Sequence, residues 1–491
     1  MGFPVLSLII FIPLIAGLII LALPAERKQA IRVVALVASL MDLVLAFWVY
    51  FTYDVQAGGY QFVERMDWVK SLGIAYFTGV NGVSVPLVLL GAVVLTSGVM
   101  VSWKVEERPR EFFAFYMFLG SSVQGVFCSL DLFMLFFFFE LAVFPKYLMI
   151  AIWGYPKTRD YGSMKLTLYL FLGSVLSLVG VLAMWSAGGH TFDMLELEKA
   201  GFSRAFQTGW FLVVFGGFAI LGGIFPFHSW APDGHVAAPT AVSMMLAGVE
   251  MKVGAFAALR VAITLMPDGA RFYAPLILAL GTVNVVYGAL IAMIQSDFKY
   301  VIGFSSVSHM GLVMIGFATL NREGLLGAGL QMFSHGIMTA LFFAVVGMVY
   351  DRAHTRHIPE LGGLSQKMPL AALGFIIAGL VSMGMPGFSG FVAEFPIFMG
   401  AWQVMPIVAI IAILGVIVTA GYILLVVRRV FYGNLPEQLN ALVGDVSTMD
   451  KIVIVGLSAM MVLMGILPTW TRMVPLIESG IAQILVLLGG A

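Results

Sequence analysis

Runs of about 20 apolar residues follow one another along almost the whole chain, from PVLSLIIFIPLIAGLIILALP near the start to PIVAIIAILGVIVTAGYILLVV near the end. A helix needs about 20 residues to cross a hydrocarbon core of ~30 Å. Inside lipid every backbone N–H and C=O must be satisfied within the protein, so helices or a closed barrel are the only options. Runs this long and this continuous leave the helix. Composition agrees. Of the 491 residues, 61% are hydrophobic and 11% are charged, where soluble domains carry about 25% charged residues.

A window of about 20 residues places fourteen spans, near 3–23, 31–53, 82–102, 112–128, 131–153, 165–186, 208–228, 239–262, 273–294, 300–319, 326–350, 370–398, 402–431 and 452–469. A last apolar stretch, 474–489, is expected along the surface. The fold class is therefore an all-α polytopic membrane protein with one membrane domain, 1–491. Its parts are 1–102 with helices 1–3, 112–262 with helices 4–8, 273–431 with helices 9–13, and 452–491 with the last helix and tail. The first run has no Lys or Arg ahead of it and reads as a retained span, not a cleaved signal. Loops after odd-numbered spans hold 16 of the 26 basic residues and the other loops hold 8. The positive-inside rule then puts both termini on the non-cytoplasmic side.

The charges are balanced at 26 each and no basic tail is present, which argues against nucleic acid as a partner. Cys128 is the single cysteine, too few for a disulfide, an iron–sulfur cluster or a thiolate zinc site. No cofactor or metal is expected in this chain, so any linked redox chemistry belongs to other polypeptides.

Three ionisable side chains interrupt the apolar spans: Glu140, Lys252 and Glu394. A charge at that depth costs at least ~2.5–3.5 kcal/mol on insertion scales and commonly marks a path for ions or protons. The alternative is a buried polar pair that only holds helices together. Two spans also carry Gly and Pro in their middles, GGIFPFHSWAPDGH around Pro226 and MGMPGFSGF around Pro386. Paired broken helices in two halves of a chain point to an inverted-repeat transporter core. Spans 4–8 and 9–13 would be the two five-helix repeats, with breaks in spans 7 and 12. Ordinary proline kinks are the alternative.

The run FPFHSWAPDGHVAAPTAVSMMLAGVEMKVGAFAALR resembles the signature of the antiporter-like subunits of complex I and of Mrp-type cation/proton antiporters. DFKYVIGFSSVSHMGLVMIG, LQMFSHGIMTALFFAVVGMVYDRAHTRHIPELGGL and MGMPGFSGFVAEF extend the likeness, and ERMDWVKSLGIAYFTGVNGVSVPLVLL resembles the chain M branch. The resemblance implies a proton-translocating subunit of an NADH–quinone oxidoreductase. Other membrane subunits would be its partners in the bilayer, and quinone would be reduced elsewhere in the assembly. It also implies an axis of Glu140 on helix five, Lys252 on helix eight and Glu394 on broken helix twelve, joined through His309 and His335. Taken singly, each histidine reads equally well as a packing residue, and His228 and His235 are expected to be structural.

The family keeps a lysine on helix seven that pairs with the helix-five glutamate. Here Leu221 stands in its place. Lys146 on helix five and Glu250 on helix eight are unusual additions. Glu140 and Lys146 are six residues apart, which is about 120° around a helix and ~9 Å along it. Lys146 therefore either reaches Glu140 through a kink or snorkels to the interface. Glu250 and Lys252, two apart, point away from each other, so Glu250 needs another partner or a proton. At an effective dielectric of ~20, a charge pair gains ~4 kcal/mol at 4 Å and ~1.7 at 10 Å. Opening such a pair therefore suffices to decide which group keeps a proton. H⁺ and Na⁺ both remain open as the transported ion. Alternatives are a Mrp-type Na⁺/H⁺ antiporter subunit, a subunit of a membrane-bound hydrogenase or other ferredoxin- or F420-linked complex, and a structural subunit that no longer pumps. Neighbouring genes would separate the first two from a complex I-type enzyme.

Overall fold

The computed structural model describes residues 3–489. Fourteen helices build the bundle. They are α1 Val5–Ala22, α2 Lys28–Thr52, α3 Ser84–Val101, α4 Pro109–Cys128, α5 Leu132–Trp153, α6 Arg159–Ala187 and α7 Arg204–Leu221, followed by α8 Thr240–Ile263, α9 Pro267–Met293, α10 Phe298–Ala318 and α11 Arg322–Ala353. Helix α12 is in two pieces, Pro369–Ser382 and Ser389–Val404; α13 Pro406–Phe431 and α14 Thr448–Ile466 complete the set. Among the described residues thirteen of these helices are long and apolar enough to cross a membrane, and the expected twelfth span is present as the two shorter pieces of α12.

Local chemistry fixes where these helices start. Asp131, Ser203, Asp297 and Asn321 accept hydrogen bonds from first-turn N–H groups of α5, α7, α10 and α11, and Ser447 with Asp450 forms a capping box on α14. Proline opens α4, α9, the first piece of α12 and α13, where its missing N–H has no intrahelical role.

The all-α bundle carries one β element. Residues 61–80 form an antiparallel hairpin, β1 Gln61–Val69 with β2 Ile74–Val80. A hydropathy window registers this segment only as a gap between spans. The hairpin clamps the start of α1. Glu64 in β1 accepts from the Leu6 N–H at 2.9 Å and from Ser7 Oγ, and Tyr76 Oη in β2 lies 2.7 Å from the same hydroxyl. A carboxylate at a helix N-terminus also suits the helix dipole.

Side-chain contacts between loops establish the parity of the crossings. On one face Lys28 and Arg32 meet Glu106, Arg356 meets Asp297 at 2.6 Å, and Arg352 meets Asp450 at 2.9 Å. Each of these follows an odd-numbered helix. On the other face Arg472 reaches the Tyr53 carbonyl at 2.7 Å, Gln483 reaches Glu198 at 2.6 Å, and Asn321 reaches the Gly400 carbonyl at 2.9 Å. The final helix, Met473–Leu487, lies on that second face and packs Leu476 and Ile477 against Gly82 and Gly329.

Helix seven stops at Leu221 and resumes only at Trp230–Ala237. Its freed backbone is not left bare. Asn284 of α9 accepts from the Phe225 N–H at 2.6 Å and donates to the Gly223 carbonyl at 2.8 Å, while Trp230 Nε1 donates to the Ile220 carbonyl at 2.8 Å. In the α12 interruption Gly384 and Gly387 take φ of +63° and +91°, conformations that glycine reaches without strain. Irregular backbone at membrane depth must be covered by protein or line a water-filled cavity, and residues 385–387 of the α12 interruption are exposed on this chain. Helices α3, α4, α8, α10 and α11 are almost wholly enclosed, while α1, α2, α6, α9, α13 and α14 turn apolar side chains outward.

Candidate functional site

Helix α8 holds the middle of the site. Two π-helical turns, Leu246–Glu250 and Ala258–Ile263, loosen its winding, a distortion often found at functional positions. The Ala247 carbonyl within the first turn accepts from Lys252 Nζ. Lys252 is completely buried, and no carboxylate pairs with it among the described residues. Its ammonium form, with three donors, has one acceptor and no counter-charge.

Two residues back, Glu250 pairs with Lys146 of α5, and both side chains are 1% exposed. Both expectations for Lys146 therefore fail. It makes no bond to Glu140, and it does not snorkel. Helix five is divided at Ala142 into Leu132–Leu141 and Val143–Trp153, and the second piece turns Lys146 toward α8. The 120° separation from Glu140 explains the rest: a lysine turned inward leaves the glutamate at the rim. Glu140 is half-buried, its Oε1 is unpartnered, and Ser174 of α6 is the hydroxyl beside it. The partner that Glu250 requires is Lys146.

The other side of the site is built on α10, α11 and α12. His309 Nδ1 lies 2.8 Å from the Ser305 carbonyl of its own helix. Its Nε2 is 3.2 Å from the Ser382 carbonyl at the α12 interruption and 3.6 Å from Glu394 Oε1. Gln331 of α11 donates to the same Glu394 oxygen at 3.3 Å. One turn along α11, His335 stacks on His309 with ring centroids 5.2 Å apart, and both of its ring nitrogens are unpartnered. Lys252 is within electrostatic reach of His335. The structure thus brings Lys146 to Glu250, and His335 and His309 to Glu394, with Lys252 within electrostatic reach of the histidines and Lys146 within electrostatic reach of the half-buried Glu140.

Leu221 is buried at the end of the first α7 piece. No ammonium comes from α7; the one that faces α8 comes from α5. Two polar residues were missed from sequence. Gln331 lies four before His335, on the same helix face, which is a usable signal. Lys299 sits at the start of α10 and reads as a loop charge, yet it is buried and donates to the Ala238 carbonyl at 2.6 Å. His235, expected to be structural, packs against Phe343 and Trp230, and both of its ring nitrogens are unpartnered. His228 stacks on Phe225 and meets the Tyr287 ring edge-on, as a packing residue does.

A line of buried ionisable groups thus runs through a bundle with interrupted helices. The family model described as NADH:quinone oxidoreductase/Mrp antiporter, transmembrane, matches residues 129–421. This chain belongs to that family. The matched region runs from α5 into α13 and contains every residue of the polar line. The antiporter-family match is reinforced by NADH-quinone oxidoreductase subunit M of Rhodobacter capsulatus, 38% identical over 482 residues, covering 94% of this chain and 93% of that one. Among solved structures, a chain of respiratory complex I from Thermus thermophilus superposes with a TM-score of 0.89 at 28% identity, covering 99% of this chain and all of that one. A chain of the Mrp complex from Dietzia sp. reaches 0.88 at 19% identity, with full coverage of both. The latter likeness establishes a shared fold.

Proposed function

We propose that this chain is the proton-translocating, antiporter-like subunit M of a complex I-type NADH–quinone oxidoreductase, docked to other membrane subunits of that assembly. The observation that carries the proposal is the series Lys146–Glu250, Lys252, His335, His309 and Glu394, buried across five helices and ending at the interrupted α12. Quinone reduction belongs to partner chains. This chain's own work is to hold and pass protons. The Lys146–Glu250 pair keeps opposite charges together in an apolar site, where separating them changes their mutual energy by a few kcal/mol. Lys252, lacking a counter-charge, is placed to exchange its proton with whatever neighbour the field favours. His335 and His309 connect it to the carboxyl of Glu394, which lies in the second piece of α12. Glu140 at the rim is the entry candidate. The balance of basic loops, 16 against 8, supports a plasma-membrane orientation in which both termini face away from the cytoplasm.

Replacing Glu394 tests the reading in vesicles that contain the whole complex. Glu394→Gln is expected to abolish most electron-transfer-driven acidification through this subunit while quinone reduction continues. Glu394→Asp is expected to retain part of it. Pumping by the Gln variant at the wild-type ratio of protons to electrons would make this carboxyl structural.

A further inference from the structure

A second buried carboxylate lies outside the axis. Asp42, past the middle of α2, is 0% exposed. Gln124 Nε2 of α4 donates to Asp42 Oδ2 at 3.3 Å and to the Val88 carbonyl of α3 at 3.1 Å. Asp42 Oδ1 and Gln124 Oε1 have no partner. Among the described residues no cationic side chain pairs with Asp42; the titratable group within its electrostatic reach is Cys128, one turn along α4 from Gln124. An isolated carboxylate in this setting costs several kcal/mol, and two buried acceptor oxygens without donors add to the penalty.

The same pattern appears once more in the molecule. Gln331 Nε2 donates to Glu394 Oε1 at 3.3 Å, while Gln331 Oε1 and Glu394 Oε2 are unpartnered. The two acid–amide pairs share this pattern, with His309 Nε2 a further neighbour of Glu394 Oε1 at 3.6 Å. They also sit close in depth. On α3, Leu90 packs on Gly336, the neighbour of His335, while the next residue, Gly91, faces Gln124. A Cβ on Gly91 would stand 3.1 Å from Gln124 Nε2, so glycine lets the amide approach. Successive helical residues differ by about 1.5 Å in height. The Asp42 pair therefore lies at the level of His335, one helix further out.

We propose that Asp42 and Gln124 form a proton-binding site separate from the axis, with the proton on Asp42 Oδ1 donated to Gln124 Oε1. One proton supplies the missing donor, gives the amide oxygen its partner and removes the uncompensated charge. A metal cation fits less well, because hard cations take six or more oxygen ligands and two unpartnered oxygens are on offer. The inference does not depend on the axis conducting protons.

The experiment is infrared difference spectroscopy on the purified whole complex at neutral pH, wild type against Asp42→Asn. The expected result is loss of a protonated-carboxyl C=O band that shifts in D2O, with assembly unchanged, since Asn copies the neutral acid's size and brings its own donor. Loss of an ionised-carboxylate band instead would overturn the proposal. So would a wild-type Asp42 band that moves on adding Na⁺. Failure of Asp42→Asn to assemble would overturn it too, because a neutral acid is what Asn replaces best.

Discussion

At the scale of single residues, the Lys146–Glu250 pair is the ion pair of the site, with both side chains 1% exposed. Breaking a buried pair by removing one member leaves the other charge uncompensated, at a cost of ~3–5 kcal/mol, whereas removing both is often nearly neutral. Lys146→Met is therefore expected to lower the melting temperature and the incorporation of the subunit. Lys146→Met with Glu250→Gln should recover most of that loss, and a double-mutant cycle on melting temperatures would expose the coupling. Additive losses would mean the two side chains act independently. The glutamates and lysine were legible because charges inside apolar spans are rare, whereas His309 and His335 were marked only by the family resemblance. The pairing was not legible, because helical spacing orients residues on one helix and says nothing of what α8 presents to α5. Asp42 escaped notice for a related reason: a single short carboxylate hardly lowers the hydropathy of a 25-residue span, and Gln124 lies 82 residues away.

At the scale of elements, the interruption of α12 depends on backbone closeness. A Cβ built on Gly390, at the start of the second piece, would overlap the Val381 carbonyl oxygen of the first. Overpacking commonly costs ~1–3 kcal/mol, and a backbone oxygen cannot rotate away as a side chain does. Gly390→Ala should thus reduce thermal stability and pumping together, and Gly456→Ala, which meets open space, should leave both unchanged. Equal behaviour of the two variants, in melting and in proton uptake, would remove the close crossing from the explanation. The breaks themselves were visible in sequence as Gly–Pro clusters. What satisfies them was not: Asn284 serves the α7 gap from 59 residues downstream of Phe225. The hairpin was invisible to a search tuned to 20-residue apolar runs, since its strands are only nine and seven residues long.

At the scale of the whole molecule, surface charge and buried charge should separate cleanly in their response to pH. Hydrogen bonds from Lys28 and then Arg32 hold the exposed Glu106 carboxyl down to about 2. A carboxyl lowered in the folded state contributes only above its unfolded range of ~4.3, and loses the contribution as pH falls toward 2. Across about pH 5–9 it stays ionised, so Glu106→Gln should leave the pH profile of pumping unaltered. A shifted profile would mean the loop contact reaches the transport groups. The decisive variant is Lys252→Met, which keeps the length of the side chain and removes its only ionisable group. It should be measured as protons moved per electron pair in vesicles containing the complete complex, with incorporation of this subunit quantified in the same preparation. The expected result is normal incorporation, continued quinone reduction and a lowered proton ratio. A wild-type ratio at normal incorporation would contradict a proton path through Lys252.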